Sequence, residues 1–323
     1  MKKNRVLGIA YIALATLIFS TMEVMLKQVG GVFAPMQITV ERFFIGGLCL
    51  LPLALHELKK RNIKFSWQNL RYFALTGLLC VPLSMVLYQL SISYGKAGVV
   101  AVLFSGNPIF VTILAALLLH EHIYWNNIMA LALEIFGILA ILNPFSANTQ
   151  INPISVILVI CSALLFALYS ILGKRKTQKC GSIVVTCGSF LFGSMELFVL
   201  LLLGHFAPVI SVYKTVGLSI FCDVPFFSGF SMQTIPFFLF ICVVNSAAGY
   251  VFHMLAMETT NANTANLVFF FKPIIAPIIA LIVLHEAITS NMVIGILFFL
   301  CGSLSGIIPT MLRTKKEEAL QRA

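Results

Sequence analysis

The chain has 323 residues, of which 60% are hydrophobic and 10% charged, with a mean hydropathy of +1.01. A soluble domain carries about 25% charged residues, so this chain has too much apolar surface for one aqueous core, and lipid must be its solvent. The net charge of +10 would suit nucleic acid, but the placement of the cations points elsewhere, and eight cysteines without a C-x-x-C exclude a zinc or disulfide framework.

A membrane-spanning helix needs roughly 20 apolar residues. Ten such runs are predicted, at 6–27, 36–56, 70–92, 97–119, 126–143, 153–173, 183–204, 234–256, 262–284 and 290–311. Backbone groups in hydrocarbon must be satisfied within the segment, so helices are expected, and the runs are too long and continuous for barrel strands. The first run is longer than the ~7–15 residues of a signal-peptide core and has no clear small-residue cleavage site, so it reads as a retained helix. Gly30-Gly31, Pro35, Asn143-Pro144 and Asn152-Pro153 punctuate the turns.

The cations then set the orientation. With the N-terminus cytoplasmic, the inner side holds Lys2, Lys3, Arg5, Lys59, Lys60, Arg61, Lys64, Arg71, Lys174, Arg175, Lys176, Lys179, Arg313, Lys315, Lys316 and Arg322. The outer side holds Lys27, Lys96 and Lys214, and Arg42 and Lys272 remain in the interior of runs. Lys and Arg in short loops set topology, so both termini are expected inside a cytoplasmic membrane, and nucleic acid is not expected as a partner.

An internal repeat organises the chain. FSGNPIFVTILAALLLHEHIYWN from Phe104 aligns with FFFKPIIAPIIALIVLHEAITSN from Phe269 at an offset of 165, matching Pro108 with Pro273, His120-Glu121 with His285-Glu286, Asn126 with Asn291 and Gly137 with Gly302. Earlier positions align at an offset of 147: Phe19 with Phe166, Lys27 with Lys174, Phe43 with Phe190, Gly46 with Gly193. The change in offset places 18 extra residues in an apolar external loop at about 205–233. The halves are 1–145 and 146–311, followed by a basic tail at 312–323. Five helices per half force the second copy to enter the membrane upside down. The fold class expected is an all-α polytopic membrane protein with ten transmembrane helices in two inverted five-helix repeats.

Two five-helix halves, each closing on Pro108…His120-Glu121…Gly137 or Pro273…His285-Glu286…Gly302, resemble the EamA-type members of the drug/metabolite transporter superfamily. Arg42 in the second helix is in keeping with that resemblance, and His-Glu departs from the commoner Gly-Glu. The resemblance implies an inner-membrane carrier of small metabolites with a central cavity, often working as an exporter.

Such repeats place a site at the midplane of their interface. Pro108, Pro273 and Pro277 are expected to kink helices there, because proline frees a backbone carbonyl. Lys272 is the sharpest signal. A cation that deep costs about 2.5–3.5 kcal/mol on insertion scales, so it faces a wet cavity, a substrate anion or an acid. The acids within runs are Glu23, Glu41, Glu134 and Glu196, so a structural ion pair of Lys272 with Glu23 or Glu41 stands beside the substrate-binding reading. Arg42 is the second internal cation, and Tyr88, Gln89, Asn107, Asn245 and His253 complete the polar candidates. Polar residues of this kind are more often interhelical contacts than ligand groups. Proton coupling through Glu23, Glu41 or His253 is an option, as is a homodimer. The two His-Glu ends lack the H-E-x-x-H spacing of a zinc protease and read as polar anchors at helix ends. Asp223 is the single Asp, which excludes an aspartyl dyad within one subunit, and no phosphate-binding G-x-x-x-x-G-K-[ST] is present. The expectation is therefore a cofactor-free secondary transporter of small metabolites, plausibly amino acids or related carboxylates, moved outward. Sugars or nucleotide precursors are the alternative cargo, and an intramembrane enzyme is the rival class.

Overall fold

The structure, a computed structural model, describes residues 2–63, 66–119, 125–143, 151–259 and 267–320, with side chains withheld at 2–6 and 306–320 and at a few positions between. Among these residues the chain is helical, without strands. We number ten long helices: α1 Lys2–Val29, α2 Pro35–Lys60, α3 Trp67–Tyr94, α4 Ala97–Leu118, α5 Trp125–Leu142, α6 Pro153–Cys180, α7 Ser182–Leu203, α8 Ile235–Ala256, α9 Leu267–Leu284 and α10 Ser290–Leu320. The first eight are long and apolar enough to cross a bilayer, and α9 and α10 contribute the shorter apolar stretches Val268–Leu284 and Ser290–Ser305. His120, Glu121, His122, Pro144, Lys64 and Arg322 lie outside the described residues.

Local sequence explains the helix ends. Asn152 caps α6 by accepting a hydrogen bond from the Ile154 amide at 3.0 Å, and Pro153 fills the first helical position. A single residue, Gly181, joins α6 to α7 at φ +86°, a conformation that side chains other than glycine's resist.

The packing repeats under exchange of the two halves. α1 packs on α8 and α9 as α6 packs on α3 and α4, and α2 packs on α8 as α3 packs on α7. The equivalent pairs α2 and α7, α4 and α9, and α5 and α10 pack on one another. Equivalent residues therefore meet near the pseudo-two-fold axis: the rings of Phe43 and Phe190 are 4.8 Å apart, edge to face. Gly46 lies against Ser246 and the Cys242 carbonyl, just as Gly193 lies against Val81 and the Gly77 carbonyl. The second crossing is the tighter: a Cβ on Gly193 would sit 2.4 Å from the Gly77 oxygen. On the periphery, Gly137 abuts Gly295 and Phe299 while Gly302 abuts Ala130 and Glu134, which pairs α5 with α10. These close glycine approaches are what van der Waals-driven association in lipid requires.

Helices α3 and α8 carry wide π turns at overlapping repeat positions, Leu79–Met85 and Phe240–Ala248. Pro82 lies in the first of them. The loop after α7 is folded: helix Ala207–Thr215 and turn Ser219–Phe221 lead to a segment that covers the N-terminal end of α2. There Gln37 donates to the Ser228 carbonyl at 3.0 Å, and the Ser228 hydroxyl donates back to Gln37 at 3.0 Å.

Candidate functional site

The site is built from the pseudo-symmetric scaffold and an asymmetric load of charge. Lys272 of α9 and Asn107 of α4 are equivalent, and each reaches the first helix of the other half. Asn107 Nδ2 donates to the Ala163 carbonyl of α6 at 2.6 Å, whereas Lys272 Nζ lies 2.5 Å from Glu23 Oε1 of α1. Both members of this ion pair are removed from solvent, at 3% and 0% exposure. Tyr88 of α3 donates its hydroxyl to the same Glu23 oxygen at 2.5 Å. Glu23 thus gathers one side chain from each half, while its Oε2 is buried without a partner. Phe104 closes the group, 5.4 Å from Lys272 Nζ and 4.7 Å ring to ring from Tyr88.

Arg42 lies on the other side of Tyr88, its guanidinium 6.0 Å from that ring and 4.5 Å from the Phe43 ring. It is fully buried, and among the described residues its one hydrogen-bond partner is the Met85 sulfur at 3.8 Å. Its Nε and Nη1 are buried without a hydrogen-bond partner. Among the described residues no carboxylate lies within ion-pair distance of it. Its sequence neighbour Glu41 looks elsewhere, accepting from Gln37 at 3.2 Å. An aromatic chain extends across the seam from Phe43 through Phe190 and Tyr250 to Phe19 and His253, and on to Phe269, one turn before Lys272.

Four of the sequence candidates therefore form one buried array: Arg42, Tyr88, Glu23 and Lys272. The others are dispersed around it. Asn245 ties α8 to α1 through the Ile18 carbonyl at 2.7 Å and Thr21 at 3.0 Å. His253 sits between Phe19 and Phe269 with Nδ1 unpartnered, and Glu134 lies apart between α5 and α10, facing Ser303. Pro273 and Pro277 lie inside α9. Pro108 differs from expectation. α4 breaks at Ser105-Gly106, and Pro108 stands in the first turn of the segment Asn107–Leu119, where its missing amide costs nothing. The break coincides with Phe299 pressed against Gly106.

The EamA-like transporter family model matches this chain twice, over residues 6–143 and 153–305. The chain belongs to that family. It is a multi-pass membrane protein built as two family repeats. A transporter of Clostridium kluyveri described as uncharacterized is 32% identical over 303 residues, covering 92% of each chain. An Archaeoglobus fulgidus relative described in the same words is 26% identical over 233 residues, covering 72% of this chain and 75% of its own. A Rickettsia prowazekii protein named as an S-adenosylmethionine uptake transporter is 26% identical over 172 residues, covering 53% of this chain and 56% of its own. A solved crystal structure shares the fold at a TM-score of 0.60 and 14% identity, covering 95% of this chain and 98% of that one.

The EamA-type helix end in the second repeat has a use that the sequence reading missed. Glu286 accepts from the amides of Ala97 at 2.9 Å and Gly98 at 3.0 Å, so a carboxylate from the second half caps the start of α4 in the first. Lys27 does the converse at the end of α3, donating to the carbonyls of Ile92 and Gly95 at 2.8 Å each. His285 reaches the required turn only at φ +55°. That conformation suits glycine better than histidine. The signal available in sequence was a polar doublet closing an apolar run, but its partner helix is set by the pseudo-two-fold arrangement.

Proposed function

We propose that this EamA-family protein is a secondary transporter that moves small metabolites, plausibly amino acids or related carboxylates, along the seam between its two halves. The observation that carries this reading is the array Arg42–Tyr88–Glu23–Lys272, buried where helices of both repeats meet. Charge inside a membrane protein is costly and is retained for a task. In this reading Arg42 takes the anionic group of the substrate. Lys272 and Tyr88, both bound to Glu23, tie α9 and α3 to α1 and are remade between inward- and outward-facing states. Asn107, Asn245, His253 and Glu41 supply the polar wall, and Pro273 and Pro277 let α9 bend. Glu23, Glu41 and His253 are the candidates for a coupled proton. The repeats 1–145 and 146–311 rock against each other, with both termini and the 312–323 tail in the cytoplasm and net movement outward. The chain acts without a catalytic step or cofactor.

The Rickettsia relatives are named for uptake of S-adenosylmethionine, a sulfonium cation. The cation-rich array here supports a different cargo. Counterflow of labelled carboxylates in proteoliposomes tests the reading: saturable exchange without ATP supports it. Ligands that bind the purified protein but never cross with it would sink it. Epitope tags reachable only from the cytoplasm at both ends support the topology.

A further inference from the structure

We infer that the seam selects an organic monoanion, a monocarboxylate with an apolar and preferably aromatic body, over zwitterions and cations. This deepens the transporter reading and rests on it. The argument is a charge count over the described residues of the array. It holds two cations, Arg42 and Lys272, and one acid, Glu23. Lys272 is 2.5 Å from Glu23 and neutralises it. Arg42 has no acid within ion-pair distance among the described residues, Glu41 accepting from Gln37 instead; Phe43, Met85 and Tyr88 lie against it, and two of its nitrogens lack acceptors. The buried array is one negative charge short, and an isolated buried charge is among the most costly arrangements a protein interior holds. A monocarboxylate closes the deficit and gives the guanidinium its acceptors.

A zwitterion does this less well. Its ammonium has Glu23 Oε2 as an acceptor, but that carboxylate is already balanced by Lys272, so the array keeps its surplus cation. An organic cation doubles the surplus. The body of the ligand is set by the rings beside the two cations: Phe43 and Tyr88 at Arg42, Phe104 at Lys272, with Phe190 and Tyr250 packed behind Phe43.

Three compounds with one phenylethyl scaffold isolate the charge: 3-phenylpropionate is a monoanion at neutral pH, phenylalanine a zwitterion and phenethylamine a cation. Thermal shift of the purified protein against each gives apparent affinities. We expect 3-phenylpropionate to bind at least about tenfold more tightly than phenylalanine, and phenethylamine to produce no shift. Arg42→Gln should abolish the 3-phenylpropionate shift, and Arg42→Lys should keep part of it. The inference is overturned if phenylalanine or phenethylamine binds as tightly as the carboxylate. It is equally overturned if Arg42→Gln binds like wild type, or if none of the three shifts the transition. Counterflow with the same compounds separates the two claims. Exchange of phenylalanine but not of the carboxylate would uphold transport and refute the charge selection. A carboxylate that binds selectively and never exchanges would do the reverse.

Discussion

Replacing Arg42 with Met should make the ligand-free protein more stable while abolishing transport. The guanidinium is fully buried, with Nε and Nη1 lacking acceptors. Each buried unsatisfied donor costs about 1–3 kcal/mol. Against that stands the cation–π contact with Phe43 at 4.5 Å, in the range of about 0.5–2 kcal/mol. For the two donors together the net relief on going to a methionine of similar length is then roughly 0–5.5 kcal/mol, centred near 3. An independent figure, about 2.5–3.5 kcal/mol for a cation at mid-bilayer, falls in the same range. The assay is the thermal midpoint in detergent without ligand, read beside counterflow in proteoliposomes. A variant that melts earlier than wild type would show that Arg42 serves the fold, and the reasoning that assigns it to the substrate would fail.

Glu23→Gln and Lys272→Met should each lower stability by about 3–5 kcal/mol, because each leaves a buried charge unpaired, whereas the double variant should melt near wild type; single variants as stable as wild type would mean the pair at 2.5 Å contributes nothing. Gly193→Ala should cost about 1–3 kcal/mol through overpacking, since its Cβ would meet the Gly77 backbone at 2.4 Å with no side chain to yield; an unchanged midpoint would refute the close crossing of α3 and α7. His285→Gly should gain about 1 kcal/mol by relieving φ +55°, and a loss on that substitution would contradict the turn. Glu286→Ala should lose about 0.5–2 kcal/mol with the cap on Ala97 and Gly98, detectable as faster amide exchange at the start of α4; protection unchanged there would refute the cap.

The repeat was legible because proline, glycine and a charged doublet recur in one register, which apolar composition alone does not impose. The crossings at Gly46 and Gly193 follow the alignment: Gly46 meets Ser246 and Cys242 as Gly193 meets Val81 and Gly77, and those partners are themselves equivalent. Intramembrane cations were legible because each stands out against hydrocarbon. Their partners were not: Lys272 offered Glu23 and Glu41 as alternatives, and only the helix arrangement brings Glu23 to 2.5 Å. In sequence Glu286 reads as a polar anchor at a helix end and Lys27 as an outer-side charge, because sequence does not say which helix ends meet in space. The break at Ser105-Gly106 escaped for a related reason. Phe299 of α10 presses on Gly106 there, a tertiary contact that local propensity does not carry. Pro108 stands just after that break, at a helix start.

The central claim is that solute crosses at the seam through the array around Arg42. The most direct measurement is counterflow of one labelled monocarboxylate in proteoliposomes holding wild type or Arg42→Gln protein, each reconstituted in folded form at equal density. The account predicts saturable exchange by wild type and none by the variant. Equal exchange by both would place the path elsewhere in the molecule.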